Sequence, residues 1–164
     1  MIYKTLICLL VMAVISCNNN ATQETTDIEN ETPAQEWFAS DTLIVWDCVA
    51  PEQRRTKIFA PASPVTIAEP LMNGINKTYS EVKLVLNLVS NDTVYVSIPS
   101  ADRLTNEAGS EFPEQYFCFA AMNLLEIKGI NYVSFDFKPG VHARPGIWSR
   151  NDFADWKTDS TSVK

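Results

Sequence analysis

The sequence predicts an α+β fold: an antiparallel or mixed sheet with a helix packed on one face, preceded by a signal peptide and a disordered tether. Three observations carry this. Val82, Leu84, Leu86 and Leu88 alternate with Lys83, Val85, Asn87 and Val89, and Val94, Val96 and Ile98 resume the period beyond Ser90-Asn91-Asp92-Thr93. Period-two runs joined by a short Asn/Asp turn make a β-hairpin. Phe117, Ala120, Ala121, Leu124 and Ile127 then recur at helical spacing, and Val133, Phe135 and Phe137 alternate with Ser134, Asp136 and Lys138. The chain of 164 residues, 46 % hydrophobic and 20 % charged, has room for one ordinary domain. Its net charge of −7 argues against a nucleic-acid surface, whose electrostatic footprint is net positive.

The first sixteen residues read as an address. A single Lys4 precedes the apolar run Thr5 to Ile15, which reaches about 16 Å as a helix against a bilayer core of roughly 30 Å. That run is the length of a secretory h-region; the competing reading is a buried N-terminal helix, which would need a polar face. The tetrapeptide Val14-Ile15-Ser16-Cys17 resembles the bacterial lipoprotein signal, the lipobox. The resemblance implies cleavage before Cys17, a lipid on its thiol and acylation of the new amino group. The partner of this end of the chain is then the membrane. One acyl chain anchors marginally and two or more anchor stably. An ordinary signal with a chance cysteine is the alternative.

Residues 17–36 form the tether. Between Asn18 and Glu36 there are five acidic residues, no basic ones and one sizeable apolar side chain, Ile28. Such a segment buries too little surface to offset its ordering entropy, and as a flexible coil it spans roughly 24 Å.

Residues 37–164 make the single domain. Setting aside Lys4 and the tether acids leaves 12 basic and 15 acidic residues, which favours no particular partner. Thr42 to Val49, β-branched and aromatic, reads as a strand ended by Pro51, and Thr56 to Ala60 as a shorter one. Ser63-Pro64 reads as a helix start that Pro70 limits or kinks. The hairpin of 82–98 follows. Ser110 precedes a helix expected over Pro113 to Lys128 and closed by Gly129, and the last strand covers Val133 to Phe137.

Little in the chain carries chemistry. His142 is the single histidine, there is no Gly-x-Ser-x-Gly turn, and the five glycines are scattered. No metal-ligand spacing is present, so no catalytic residue, metal or cofactor is expected. A hydrolase using His142 is the least favoured alternative. Cys48 and Cys118 remain once the signal and anchor are set aside. They form a disulfide in an oxidising envelope, or stay as buried apolar thiols. The segment Lys138 to Arg150 is basic within an acidic chain and holds two Pro-Gly pairs. Here Arg144 or Arg150 can grip a carboxylate or phosphate, His142 lies between them and the lysine, and Trp148 can stack on a flat or sugar-like face. The competing reading is an architectural loop whose tryptophan plugs the sheet edge and whose arginines pair with surface acids.

The region of about 64–140 resembles the GerMN domain of spore-germination and other bacterial envelope lipoproteins. The motifs are Val94-Tyr95-Val96-Ser97-Ile98, Gly109-Ser110, the stretch Leu124-Leu125-Glu126-Ile127-Lys128-Gly129-Ile130 leading to Val133, and Gly140. The aspartate usual after the Val-x-Val stretch is missing. The resemblance implies a small α+β binding or assembly module with no catalytic residues to transfer. Together these readings describe a lipid-anchored envelope protein, its domain in the periplasm or at the cell surface. Its partner would be an envelope protein or glycan, and the alternative is a purely structural envelope protein.

Overall fold

The alternating residues of 82–98 do form a hairpin, and a four-stranded sheet grows from it. A computed structural model describes residues 41–159; the signal peptide (1–16), Cys17 and the tether (17–36) lie outside the described residues. In chain order the elements are β1 (Trp46–Val49), β2 (Arg54–Lys57), α1 (Glu69–Thr78), β3 (Val85–Ser90), β4 (Thr93–Ser97), α2 (Glu111–Leu124), β5 (Tyr132–Asp136), β6 (Gly146–Trp148) and β7 (Lys157–Asp159). Asn91, in the left-handed region at φ 54°, turns β3 into β4, a conformation asparagine tolerates. From β4 the chain passes through a wide π-type turn, Arg103–Glu107, and then α2, before β5 joins parallel to β4. Antiparallel pairing of β6 completes the order β3-β4-β5-β6. The fold is α+β, with mixed sheets as the sequence predicts.

There are two sheets rather than one. The second has the order β1-β2-β7, with β1 antiparallel to β2 and β7 parallel to it. The helix lies between them. Phe117 on one side of α2 stacks on Trp148 and meets Phe135 edge-on. Gln115, Cys118 and Asn123 on the opposite side, and Glu126 just past its end, face β1. Consecutive residues Tyr116 to Leu124 are therefore all buried, as expected of a helix covered all round. Val94, Val96, Val133 and Phe135 complete the core from the sheet, each at most 1 % exposed, and burial of such a side chain stabilises by about 1.5–3 kcal/mol.

Several expected boundaries move, each for a local reason. The strand expected from Thr42 begins only at Trp46. Before it the chain runs along α1, with Leu43 N–H donating to Pro70 O at 2.8 Å. Gly74 permits that approach, since a Cβ there would collide with the Leu43 carbonyl. The helix expected at Ser63-Pro64 begins instead at Glu69. Val65 is drawn into a bridge with Ile127 and accepts from Lys128 N–H at 2.7 Å, which keeps it extended. Pro70 then opens α1 rather than limiting it, in the first turn where its missing N–H costs nothing. Helix α2 starts two residues earlier than expected and ends at Leu124. Gly129, at φ 84°, turns the chain after the helix has already ended.

The open edge of β1 shows how the layers are joined. Strand β2 takes the other edge, so Trp46, Cys48 and Ala50 point their backbone N–H groups away from the sheet. Asn123 Oδ1 accepts from Val45 N–H at 2.7 Å and Trp46 N–H at 3.0 Å, while its Nδ2 donates to Trp46 O at 2.9 Å and Phe119 O at 2.8 Å. Asp47 Oδ1 takes Cys48 N–H, and Gln115 Oε1 takes Ala50 N–H. Buried polar groups left unmatched cost about 1–3 kcal/mol each. Replacing Asn123 by alanine is therefore expected to lower unfolding stability by about 2–4 kcal/mol, read from the urea midpoint; a loss under about 0.5 kcal/mol would show that β1 finds other partners.

Candidate functional site

The basic segment 138–150 starts as a loop pinned by its backbone. His142 N–H donates to Thr105 O at 2.9 Å, Val141 N–H to Asn106 Oδ1 at 3.3 Å, and Gly140 N–H to Ala143 O at 3.0 Å. Gly140 has no room for a Cβ, which would sit against Thr105 and Asn106. The loop is thus held on the π-type turn with the side chains of Val141, His142 and Arg144 exposed. Among the described residues the Arg144 guanidinium forms no ion pair.

Trp148 and Arg150 have other occupations. In β6 successive side chains alternate, so Ile147 faces solvent and Trp148 faces α2. The indole stacks on Phe117 with centroids 4.5 Å apart and planes 18° apart, and packs edge-on against Phe135 at 5.2 Å. Gly146 leaves space beside that ring. Arg150 Nη2 donates to Leu125 O at 2.6 Å and Glu126 Oε1 at 3.1 Å, just beyond the C-terminal end of α2, where a cation is favourable. Trp148 and Arg150 therefore pack toward the helix layer, while Arg144 and His142 stay in the solvent-facing loop.

The acid that receives Arg150 is the centre of a polar node the sequence reading missed. Glu126 also accepts from Trp46 Nε1 at 2.9 Å and from Lys57 Nζ at 3.2 Å. Burial alone would raise its carboxyl, but the indole N–H, Lys57 and Arg150 together outweigh it and hold the group below its ordinary value of 4.5. A cleft of about 280 Å³ opens beside it, lined by Lys57, Glu126 and residues 60–65. Its two charged groups, Lys57 and Glu126, are already bonded to each other.

A broader surface lies on the face of the four-stranded sheet turned away from α2. The registers Leu88↔Tyr95, Tyr95↔Ser134 and Ser134↔Ile147 place these residues in one row across all four strands. Neighbouring strands are about 4.8 Å apart, so the row spans about 14 Å. Leu88 is 55 % and Ile147 63 % exposed, and Tyr95, Val85 and Tyr132 are exposed on the same face. The flanking row Val85, Ser97 and Asp136 adds one charge, that of Asp136. Leu88 stands outward because β3 carries a bulge. Leu86 pairs with Val96 and Leu88 with Tyr95, leaving Asn87 as the extra residue, its Oδ1 accepting from Ser97 Oγ at 3.0 Å.

Among the described residues no group of three or more His, Cys, Asp or Glu is placed to hold a metal ion, and no helix is long and apolar enough to cross a membrane. Compared with family models, curated proteins and solved structures, the chain matches none of them.

The Glu126 node has a pH signature. Because its folded value is lowered, its stabilising contribution is complete above about pH 4.5 and is lost as pH falls through the lowered value. Glu126→Gln is expected to cost about 1 kcal/mol at neutral pH, discounted for partial solvent exposure. It should also make stability fall less steeply with acid in urea titrations below pH 4.5. Parallel acid limbs for the variant and the natural chain would refute this role.

Proposed function

We propose that this protein is an envelope lipoprotein, anchored through lipid on Cys17, whose α+β domain binds a protein partner through the outer face of its four-stranded sheet. The row Leu88, Tyr95, Ser134 and Ile147 carries the proposal. Large exposed apolar and aromatic side chains collected on one face, with a single carboxylate nearby, match the composition of interface centres, where charge is depleted and tyrosine enriched. The aliphatic members Val85, Leu88 and Ile147 favour a protein over a glycan, which would be gripped mainly by aromatic rings and polar groups. Arg144, on the loop that leads into β6, supplies a charged rim, with the exposed His142 beside it. The resemblance to the GerMN domain, which implies a non-catalytic binding or assembly module, favours the same reading. A second reading, a purely structural envelope protein, draws on the packing of Trp148 and the bonds of Arg150.

Two measurements test the proposal. Growth with labelled palmitate should mark the natural chain and leave Cys17→Ala unmarked; label on neither, with methionine still at the N-terminus, removes the anchor. Crosslinking in intact cells should capture a protein whose yield falls at least about tenfold when Leu88 and Ile147 are both replaced by glutamate, with the folded state checked by circular dichroism. Arg144→Ala should reduce the yield less, as expected of a rim charge. Unchanged capture by the double variant would place the contact elsewhere.

A further inference from the structure

Two thiols meet where β1 crosses α2. Cys48 lies on β1 and Cys118 on α2; they are 1 % and 0 % exposed, and their sulfurs are 2.7 Å apart. Non-bonded heavy atoms rest at about 3.5–4.0 Å, so the two side chains approach closer than mere packing asks. The elements that carry them are aligned independently on either side. Asn123 holds Trp46, and Gln115 holds Ala50. Flanking hydrogen bonds thus bring Cys48 to Cys118 whether or not the sulfurs react. Both cysteines are unbonded in this structure.

We infer that Cys48 and Cys118 are a redox pair that closes into a disulfide fastening β1 to α2. The oxidant is a disulfide reagent, either glutathione disulfide or the active-site disulfide of a thiol oxidoreductase. One protein thiolate attacks a sulfur of that disulfide, forming a mixed disulfide and expelling one thiolate of the reagent. The second protein thiolate then attacks the mixed disulfide and expels the other. Both protein thiols lose their protons, two electrons pass to the reagent, and it leaves as two thiols. The envelope of the proposed function supplies such reagents, but the bond is a property of this pair and can be tested in a tube.

The surroundings also decide when the step occurs. The hydrogen bond with Cys48, and then burial, push the Cys118 thiol up, so the thiolate needed for exchange is scarce once α2 has docked. Oxidation therefore accompanies docking, as the flanking bonds align the two elements, and the finished bond is shielded from reducing thiols. It joins residues 70 apart in the chain, a long loop whose closure restricts the unfolded ensemble strongly.

The test is to refold the full chain in excess glutathione disulfide, trap remaining thiols with maleimide under denaturing conditions, and map the digest by mass. The expected result is one peptide pair joining Cys48 to Cys118 that disappears on reduction. Free Cys48 and Cys118, or their bonding to glutathione, Cys8 or Cys17, overturns the inference. Reduction should also lower the thermal midpoint by on the order of 10–20 °C. The variant carrying Cys48→Ala and Cys118→Ala should show no response to reductant. An oxidised chain whose midpoint ignores reductant would overturn the fastening role even with the bond present.

Discussion

The structure depends on one side chain replacing a missing strand. Strand β1 is the edge of its sheet, and on that edge Trp46 presents both its N–H and its carbonyl with no neighbouring backbone to meet them. The amide of Asn123 meets both, and it also takes Val45 N–H and donates back to its own helix at Phe119. No apolar residue at that position could do this. Because the amide is fully buried and fully matched, it fixes how far along α2 the strand must sit. Gln115 and Glu126 then fall opposite Ala50 and the Trp46 indole.

This seam explains why α2 is central. One of its faces grips β1 by polar groups and sulfur, and the other offers Phe117 to Phe135, Phe137 and Trp148. A helix committed on both sides leaves each sheet only one covered face. For the sheet β3-β4-β5-β6, the remaining face keeps its large apolar side chains in water. The basic loop contributes differently from its composition. Its backbone braces the π-type turn and its tryptophan completes the aromatic stack, while Arg150 neutralises the acid just past the end of α2.

Local periodicity made much of the domain legible. The hairpin, α2 and β5 follow from alternation and helical spacing within short windows. In the sheet β1-β2-β7, composition marks strands near β1 and β2, but not β7, which is three residues long and pairs with β2 across about a hundred residues. Trp148 and Arg150 read as contact residues because their partners Phe117, Leu125 and Glu126 are distant in sequence. The Asn123 seam did leave a signal, a lone asparagine inside the apolar run Tyr116 to Leu125. A polar side chain embedded there must find partners, though the sequence could not name Trp46. The outward row was hidden for a subtler reason. Simple alternation puts Leu88 with Val82, Leu84 and Leu86 on the covered side, but the bulge at Asn87 changes the phase, so Leu88 turns outward and Val89 pairs opposite Val94.

That slip at Asn87 means surface character here is governed by chain length as much as by residue choice. Beyond the bulge, the same run of leucine and valine presents its opposite side to water without a single hydrophobic residue being added. Removing one residue between Leu88 and the turn at Asn91 would set Leu88 opposite Val94, on the covered side, whereas deleting Asn87 itself would leave it opposite Tyr95. A stickier or a quieter outer wall is thus one codon insertion or deletion away, with the composition of the strand otherwise untouched.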